Sequence, residues 1–486
     1  KKKTECVRTR HEKVRSHSFL FDGRFLKLRK MGILAKCLLL FFLIPATTSA
    51  QSDGVRIFRD LPASHWAAPE VAEAVQKGYI VGYPDGTFRP DNQVTRAEFA
   101  SLLSRAAKHK NIKENVDVPF GDVPEGHWAR GAIARAIALG FVPAEKYGTR
   151  FEPDRPMTRL EIAEWLANGL AAAREDFAEA MWDTKDTLVP VAEYYKGGLP
   201  PESYPHVSIV YGTGIMKGFP DGSFRPGELT KRSEIAAILH RFDKVQGRAA
   251  KEFRELNELR EVGLYGTNAV SFTDFVFYSP DRVLVFDVPL REDIVYEGWG
   301  TFHIHRMILA KIDNEGNLYG VYAPMFLNPE FMLEKRSDFV RKAFLQYEDL
   351  NDFIFTFTDL SFTSEVDELA IEDVIALYDQ ERSFRTVFGY GHFFTVHPDN
   401  ASRYGIKARS YYESFSYKRG ETQRFWFSGH VDEKSQRGFY DLLNAIKEMQ
   451  EKANAKRAEQ WNQLPDEIRE FLLEFQNQDL QETVQD

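Results

Sequence analysis

A chain of 486 residues is too long for one hydrophobic core. With 43% hydrophobic and 28% charged residues, most of it is expected to fold, which excludes a wholly disordered or fibrous protein. The formal net charge of −9 argues against nucleic acid as a partner.

Residues 31–50 read as a secretory signal peptide. Met31 to Lys36 is a short n-region, Leu38 to Ile44 an apolar run, and Thr48-Ser49-Ala50 a small-residue cleavage site. The apolar run is far shorter than the ~20 residues a membrane span requires, so no integral membrane segment is expected in the mature chain. Residues 1–30 precede Met31 and are expected to be an over-extended reading frame. Cys6 and Cys37 both fall in this region, so the mature chain is expected to be exported yet free of disulfides, as in Gram-positive surface proteins. Residues 1–50 hold 12 Lys+Arg and 3 Asp+Glu, and without them the net charge moves from −9 to −18.

A repeated pattern follows. Repeat one (residues 55–108) opens with Phe58-Arg59-Asp60-Leu61-Pro62 and His65-Trp66-Ala67. Val71, Ala74 and Val75 then recur at helical spacing, and Gly78 ends that helix. The turn peptide Gly82-Tyr83-Pro84-Asp85-Gly86-Thr87-Phe88-Arg89-Pro90 precedes Thr95-Arg96-Ala97-Glu98, which starts a second helix. Repeat two (117–172) has Phe120-Gly121-Asp122-Val123-Pro124, His127-Trp128-Ala129, a worn turn ending in Phe151-Glu152-Pro153, and Thr158-Arg159-Leu160-Glu161. Repeat three lies within 173–245. Its front retains only Tyr204-Pro205-His206, but Gly218-Phe219-Pro220-Asp221-Gly222-Ser223-Phe224-Arg225-Pro226 and the helix start at Arg232 and Glu234 are clear. Residues Ala171 to Tyr195 read as a long helical insertion bracing the repeats. Units of this kind cannot bury their own faces and must pack on one another.

These motifs, in this order, resemble the S-layer homology family over about residues 55–245. The resemblance implies three repeats in a pseudo-threefold, three-pronged helical spindle. It also implies non-covalent anchoring to an anionic secondary cell-wall polysaccharide, often pyruvylated, bound in grooves between repeats.

The residues support a site of that chemistry. Thr95 with Glu98, and Thr158 with Glu161, form capping boxes that satisfy orphan amides at helix N-termini. Arg96, Arg159 and Arg232 each occupy the first helical position, where the helix dipole disfavours a cation. A guanidinium beside free amides suits a bound carboxylate, although a neighbouring acid would serve as well. Asp60, Asp122, Trp66 and Trp128 are candidates for sugar contacts, with capping and repeat packing as the alternatives. Gly82 and Gly218, which open the two full turns, complete the candidate set. The first copy keeps every element, so its groove is the foremost candidate. In repeat three Lys231 replaces the capping Thr, and the capping box is expected to be lost. No metal or cofactor is expected: the Asp85 turn has Tyr83 and Val81 where a calcium loop needs acids.

Residues 246–265 read as a linker helix. Residues 266–480 read as an α+β domain with an antiparallel sheet. Strands are expected at Phe272–Tyr278, Val283–Val288, Phe302–Lys311, Phe353–Phe357, Thr386–Phe388, His392–Val396, Tyr411–Tyr417 and Phe425–Phe427. Helices are expected near Asp338–Tyr347, Glu368–Asp379 and Phe439–Met449, with a shorter one after Pro465. His303 and His305, with His392, His397 and His430, are the only suggestion of a metal cluster, and packing or surface roles fit them better. No nucleophile elbow, Walker loop or dinucleotide fingerprint occurs. The fold class is thus a helical three-repeat module followed by an α+β domain. The function expected is a secreted, wall-anchored surface protein able to self-associate. The alternative is a wall-tethered polysaccharide- or peptidoglycan-acting hydrolase with its site in residues 266–480.

Overall fold

The computed structural model describes residues 58–108, 116–273, 291–329, 353–370, 398–406 and 416–432, together with the short segments 276–278, 283–285, 288–290 and 373–374. The signal-peptide region and the segments expected as strands at Thr386–Phe388 and His392–Val396, as helices at Asp338–Tyr347 and Phe439–Met449, and as a last helix after Pro465 lie outside the described residues.

The N-terminal region is helical. Each repeat contributes two main helices: α1 (Ala68–Gln76) and α2 (Arg96–Ala106), α3 (Arg130–Ala138) and α4 (Arg159–Ala173), and, after an insertion bearing α5 (Glu175–Asp183) and α6 (Ala192–Lys196), α7 (Tyr204–Gly212) and α8 (Arg232–Val245). Their apolar faces meet in one core that runs from Phe58 to Leu256. The spacing of Phe99, Leu102, Leu103 and Ala106 on α2 places all four inside it.

The repeats are stitched into a closed cycle. Val94 donates its amide to Thr230 O (3.0 Å), Thr230 to Met157 O (3.1 Å), and Met157 back to Val94 O (2.9 Å). Isolated bridges flank this ring at Gln93–Lys231, Thr95–Pro156 and Thr158–Leu229. The outermost pair is also joined through Asp243 on α8, which accepts from Lys77 Nζ (2.8 Å) and Tyr79 Oη (2.6 Å) of repeat one and pairs with Lys108 Nζ (2.8 Å). Burial alone would raise the Asp243 carboxyl; these donors outweigh it and hold it down at about 2.

The insertion is not one long helix. At Arg174 the backbone becomes extended (φ −150°, ψ 130°), so α4 ends and α5 turns away to pack on α4, α7 and the next helix, α9 (Arg254–Tyr265). A second break, Thr184 to Val191, is non-helical. The expected linker helix is α9, preceded by a single 3₁₀ turn at Ala250–Glu252.

The C-terminal region is built on an antiparallel sheet. Strands β1 (Val276–Tyr278), β2 (Val283–Val285) and β3 (Val288–Leu290) form a small meander. The main sheet contains β4 (Asp293–Tyr296), β5 (Gly300–Ile312), β6 (Leu318–Tyr319), β7 (Phe353–Ser364) and β10 (Thr422–Asp432), in the order β10-β7-β5-β4 with β6 on β5. Strands β8 (Leu369–Ala370) and β9 (Ser416–Tyr417) pair separately. Two short helices, α10 (Ala323–Phe326) and α11 (Pro398–Tyr404), complete the described elements. The helix expected from Glu368 therefore begins instead as strand β8, where the buried Leu369 packs into the sheet core. Strands β7 and β10 run several residues beyond the segments expected from sequence.

Period-2 alternation gives the sheet two buried faces. Phe302, Ile304, Met307, Leu309, Ile354, Leu360 and Phe362 face the meander side. Ile308, Ala310, Ile312, Phe355, Phe357 and Trp426 face a second core, which also holds Leu188, Leu259, Val262 and Phe326. Residues 302/304 and 307/309 share a face although an odd step separates them. A β-bulge between Ile304 and Arg306 inserts His305 and resets the alternation.

Candidate functional site: the joints between repeats

The turn peptide is held by its own side chains. Tyr83 and Gly86 exchange backbone bonds with Thr87 and Tyr83 (both 2.9 Å), and Asp85 Oδ1 accepts from Thr87 N (3.0 Å). Gly86 sits at φ 75° and Gly222 at φ 79°, which side-chain-bearing residues adopt only at a cost. The residue before each proline, Arg89, Glu152 or Arg225, is also left-handed (φ 58°, 54° and 56°). That strained peptide is where the candidate residues converge.

Asp60 accepts the amides of Phe88 (2.8 Å) and Arg89 (2.7 Å), and Asp122 those of Phe151 (2.9 Å) and Glu152 (2.8 Å). Burial pushes both carboxyls up, but the amide bonds prevail and set them below the ordinary aspartate value. Sequence reading found no such acid in repeat three. Glu193 takes the role there, accepting from Phe224 N (2.9 Å) and Arg225 N (2.8 Å). The preceding backbone confirms the equivalence: Arg59, Gly121 and Ala192 donate to Gly86 O, Thr149 O and Gly222 O at 3.1, 3.0 and 2.8 Å. The signal in sequence was weak because Glu replaces Asp and ten residues separate Glu193 from the start of α7.

The three arginines cross the joints in cyclic order. Arg96 reaches from repeat one to repeat two, donating to Phe151 O (2.7 Å), Glu161 Oε1 (2.7 Å) and Glu152 Oε2 (3.2 Å), with its guanidinium over the Tyr147 ring. Arg159 reaches from two to three, donating to Phe224 O (2.9 Å) and Lys217 O (3.1 Å) between the Phe219 and Phe224 rings. Arg232 reaches from three to one, donating to Phe88 O (2.9 Å) and Glu98 Oε1 (3.2 Å) against Tyr83 and Phe88. All three are buried, at 3%, 6% and 7% exposure. The joints differ in charge: Arg96 meets two carboxylates and Arg232 one, whereas no carboxylate ion-pairs with Arg159 among the described residues. Burial lowers the Arg159 guanidinium from its ordinary value, the cost of holding it there.

The capping residues serve these joints too. Thr95 Oγ1 accepts from Glu98 N (3.3 Å) while Glu98 Oε2 accepts from Thr95 N (3.0 Å), and Thr158 and Glu161 reproduce the pair. Each Glu thus caps its own helix and meets the arginine of another repeat. In repeat three half of the box survives: Glu234 still accepts from Lys231 N (2.8 Å), and the Lys231 side chain turns to Asp91.

Trp66 and Trp128 are not core residues. They stand 58% and 64% exposed, each ring stacked on the preceding histidine, His65 or His127. They are not brought into contact with the joint arginines. Gly82 has a steric role, since a Cβ there would fall 2.1 Å from the Phe58 ring; at Gly218 it would come within 3.2 Å of Ser223 O. In the sheet, His303 Nδ1 pairs with Asp293 (2.7 Å) and His305 Nε2 with Ser361 Oγ (3.0 Å), their rings 4.6 Å apart. Burial takes the His305 imidazole down to about 4. His392 and His397 lie outside the described residues, and His430 is on β10. No group of three His, Cys, Asp or Glu is arranged to hold a metal among the described residues.

Comparison with known proteins places these features. The cell surface glycoprotein 1 of Acetivibrio thermocellus is 31% identical over 166 residues, 34% of this chain and 7% of the relative. The cellulosome-anchoring protein of the same organism is 29% identical over 165 residues, 34% of this chain and 35% of the relative. The S-layer protein EA1 of Bacillus anthracis is 26% identical over 191 residues, 39% of this chain and 20% of the relative. The chain thus spans about a third or less of the length of each of these relatives. The model of the S-layer homology domain matches residues 57–100, 119–163 and 198–236, and no family model matches the rest. The chain carries three S-layer homology domains.

Proposed function

We propose that this is a secreted cell-surface protein held on the cell wall by its three S-layer homology domains, which bind an anionic, pyruvylated secondary wall polysaccharide in the grooves between repeats. The ring of hydrogen bonds through Val94, Met157 and Thr230 supports a pseudo-threefold spindle in which each groove is walled by two repeats. The names of the similar proteins, a surface glycoprotein, an anchoring protein and an S-layer protein, fit that role. The C-terminal sheet is the part presented at the surface.

The observation that carries the reading is the Arg159 joint. A guanidinium removed from water and without a carboxylate ion-pair partner among the described residues is an unfinished ion pair, and a ligand carboxylate would complete it. The Arg232 joint ranks next, and the Arg96 joint, already holding two acids, last. The exposed Trp66 and Trp128 offer apolar faces to sugar rings.

Co-sedimentation of the full chain with purified walls tests this, before and after extraction of the secondary polymer. Trp66→Ala with Trp128→Ala, which disturbs no core contact, is expected to weaken binding about tenfold. Arg159→Ala is expected to weaken it more than Arg96→Ala. Equal binding to intact and extracted walls refutes wall-polymer recognition.

A further inference from the structure

A cavity lies where α6 meets the sheet. It encloses about 700 Å³, within the range of small-ligand sites, and is lined by Tyr194 and Tyr195 of α6, Arg306 of β5, Asp359 of β7, and Arg424 and Trp426 of β10. The β-bulge at His305 puts Arg306 opposite Asp359, on the face shared by Trp426. None of these residues falls within the stretches that the family model matches.

The polar groups in it are unevenly partnered. Asp359, 1% exposed, is gripped through both oxygens by Arg424, Nε to Oδ1 at 2.8 Å and Nη2 to Oδ2 at 2.6 Å. That pair is complete. Arg306 is not: its one hydrogen bond is to Tyr194 Oη (3.0 Å), and no carboxylate of the described residues ion-pairs with it. Four of its five N–H donors therefore have no partner among the described residues. Tyr195 Oη is buried beside the Trp426 indole and makes no well-formed hydrogen bond to a described residue. A half-buried cation and a buried hydroxyl left open in one cavity are polar groups waiting for a partner. The walls are aromatic, and Arg306 also lies 5.8 Å from the Tyr194 ring centroid.

We propose that this cavity binds an acidic saccharide, a sugar ring bearing a carboxylate, with the carboxylate on Arg306 and the ring against Tyr194, Tyr195 and Trp426. The Arg306 fork suits a planar two-oxygen anion better than a point charge. Arg424, whose side chain is 52% exposed, keeps spare donors for ring hydroxyls. The site shares α6 with the third joint, since Tyr194 and Tyr195 follow Glu193, but none of the three joint arginines lines it.

The probe is a galacturonic acid trisaccharide, titrated into the full chain and compared with its methyl ester, in which the charge alone is removed. Hydrogen exchange on residues 422–426 locates the bound sugar. The expected result is protection there by the acid, with affinity for the ester reduced about tenfold or more. Arg306→Gln is expected to abolish the protection, and Arg306→Lys to retain part of it; both should leave wall co-sedimentation unchanged. Equal affinity for acid and ester overturns the proposal, whether or not the variants fold. So does protection confined to the repeat joints. A loss of wall binding with this cavity intact would instead bear on the anchoring reading alone.

Discussion

The N-terminal arginine of each second helix shows how one residue satisfies two demands. A cation at that position opposes the helix dipole, yet here it is withdrawn sideways into the next repeat, where carbonyls and rings receive it. Sequence alone revealed that the cation was misplaced; it could not reveal that its first partners are protein groups, because those lie 55, 65 and 144 positions away. Asp60 and Asp122 were read from sequence as candidates for sugar contacts or as helix caps; the clamp each places on a distant strained peptide was not legible. A different residue carries a pH dependence. Glu261 on α9 accepts from Ser271 N (3.0 Å) and Oγ (2.7 Å), yet burial, with nearby Glu258, pushes its carboxyl from 4.5 up to about 7. The folded form therefore favours the proton. The stability this confers is fully present below about pH 4.5 and is lost as pH rises through about 7. Thermal unfolding should show a fall of the order of 2 kcal/mol between pH 5 and 8, flattened in Glu261→Gln. An unchanged slope in that variant would refute the assignment.

Among elements, the most instructive is the bulge in β5. Alternating apolar residues identified Phe302–Lys311 as a strand, but a strict period of two cannot describe it, since Ile304 and Met307 share a face. The extra residue is His305, opposed by no residue of β7. Deleting His305 should leave both faces in register and cost only its hydrogen bond to Ser361, about 1 kcal/mol. Deleting Ile308, three positions on, should turn Leu309, Ala310 and Ile312 to the wrong sides and abolish soluble protein. Soluble expression and melting temperature of the two variants decide it; equal damage would mean the bulge does not set the register. The misread insertion has a local and a tertiary cause: Thr184, Thr187, Val189 and Pro190 disfavour helix and mark the second break, while the break at Arg174 and the extended stretch after it let Leu188 enter the second core and Glu193 reach the third turn. The Thr/Lys-Arg-x-Glu motifs located the starts of α2, α4 and α8 because the bonds of those caps are local. The sheet was less legible, since its partners are distant and β4 carries no apolar alternation beyond Ile294 and Tyr296.

At the scale of the molecule, the repeats were legible as three units, whereas their closure was expected only from the pseudo-threefold spindle that the family resemblance implies. Nothing in the order of motifs states that the third returns to the first. Yet Arg232 on Phe88 O, Thr230 below Val94 and Asp243 among Lys77, Tyr79 and Lys108 together bind the last repeat to the first. This closure has a mechanical meaning. A pull on the C-terminal part of the chain enters the repeats through α8, whose neighbours on both sides share the load. An open array would peel one unit at a time; a closed ring must break two joints before any repeat is freed. Single-molecule stretching should therefore register one all-or-none rupture for the three repeats. Loosening the closing joint with Asp243→Ala should divide it into successive smaller steps, and three separate events in the unaltered protein would show that the ring bears no tension.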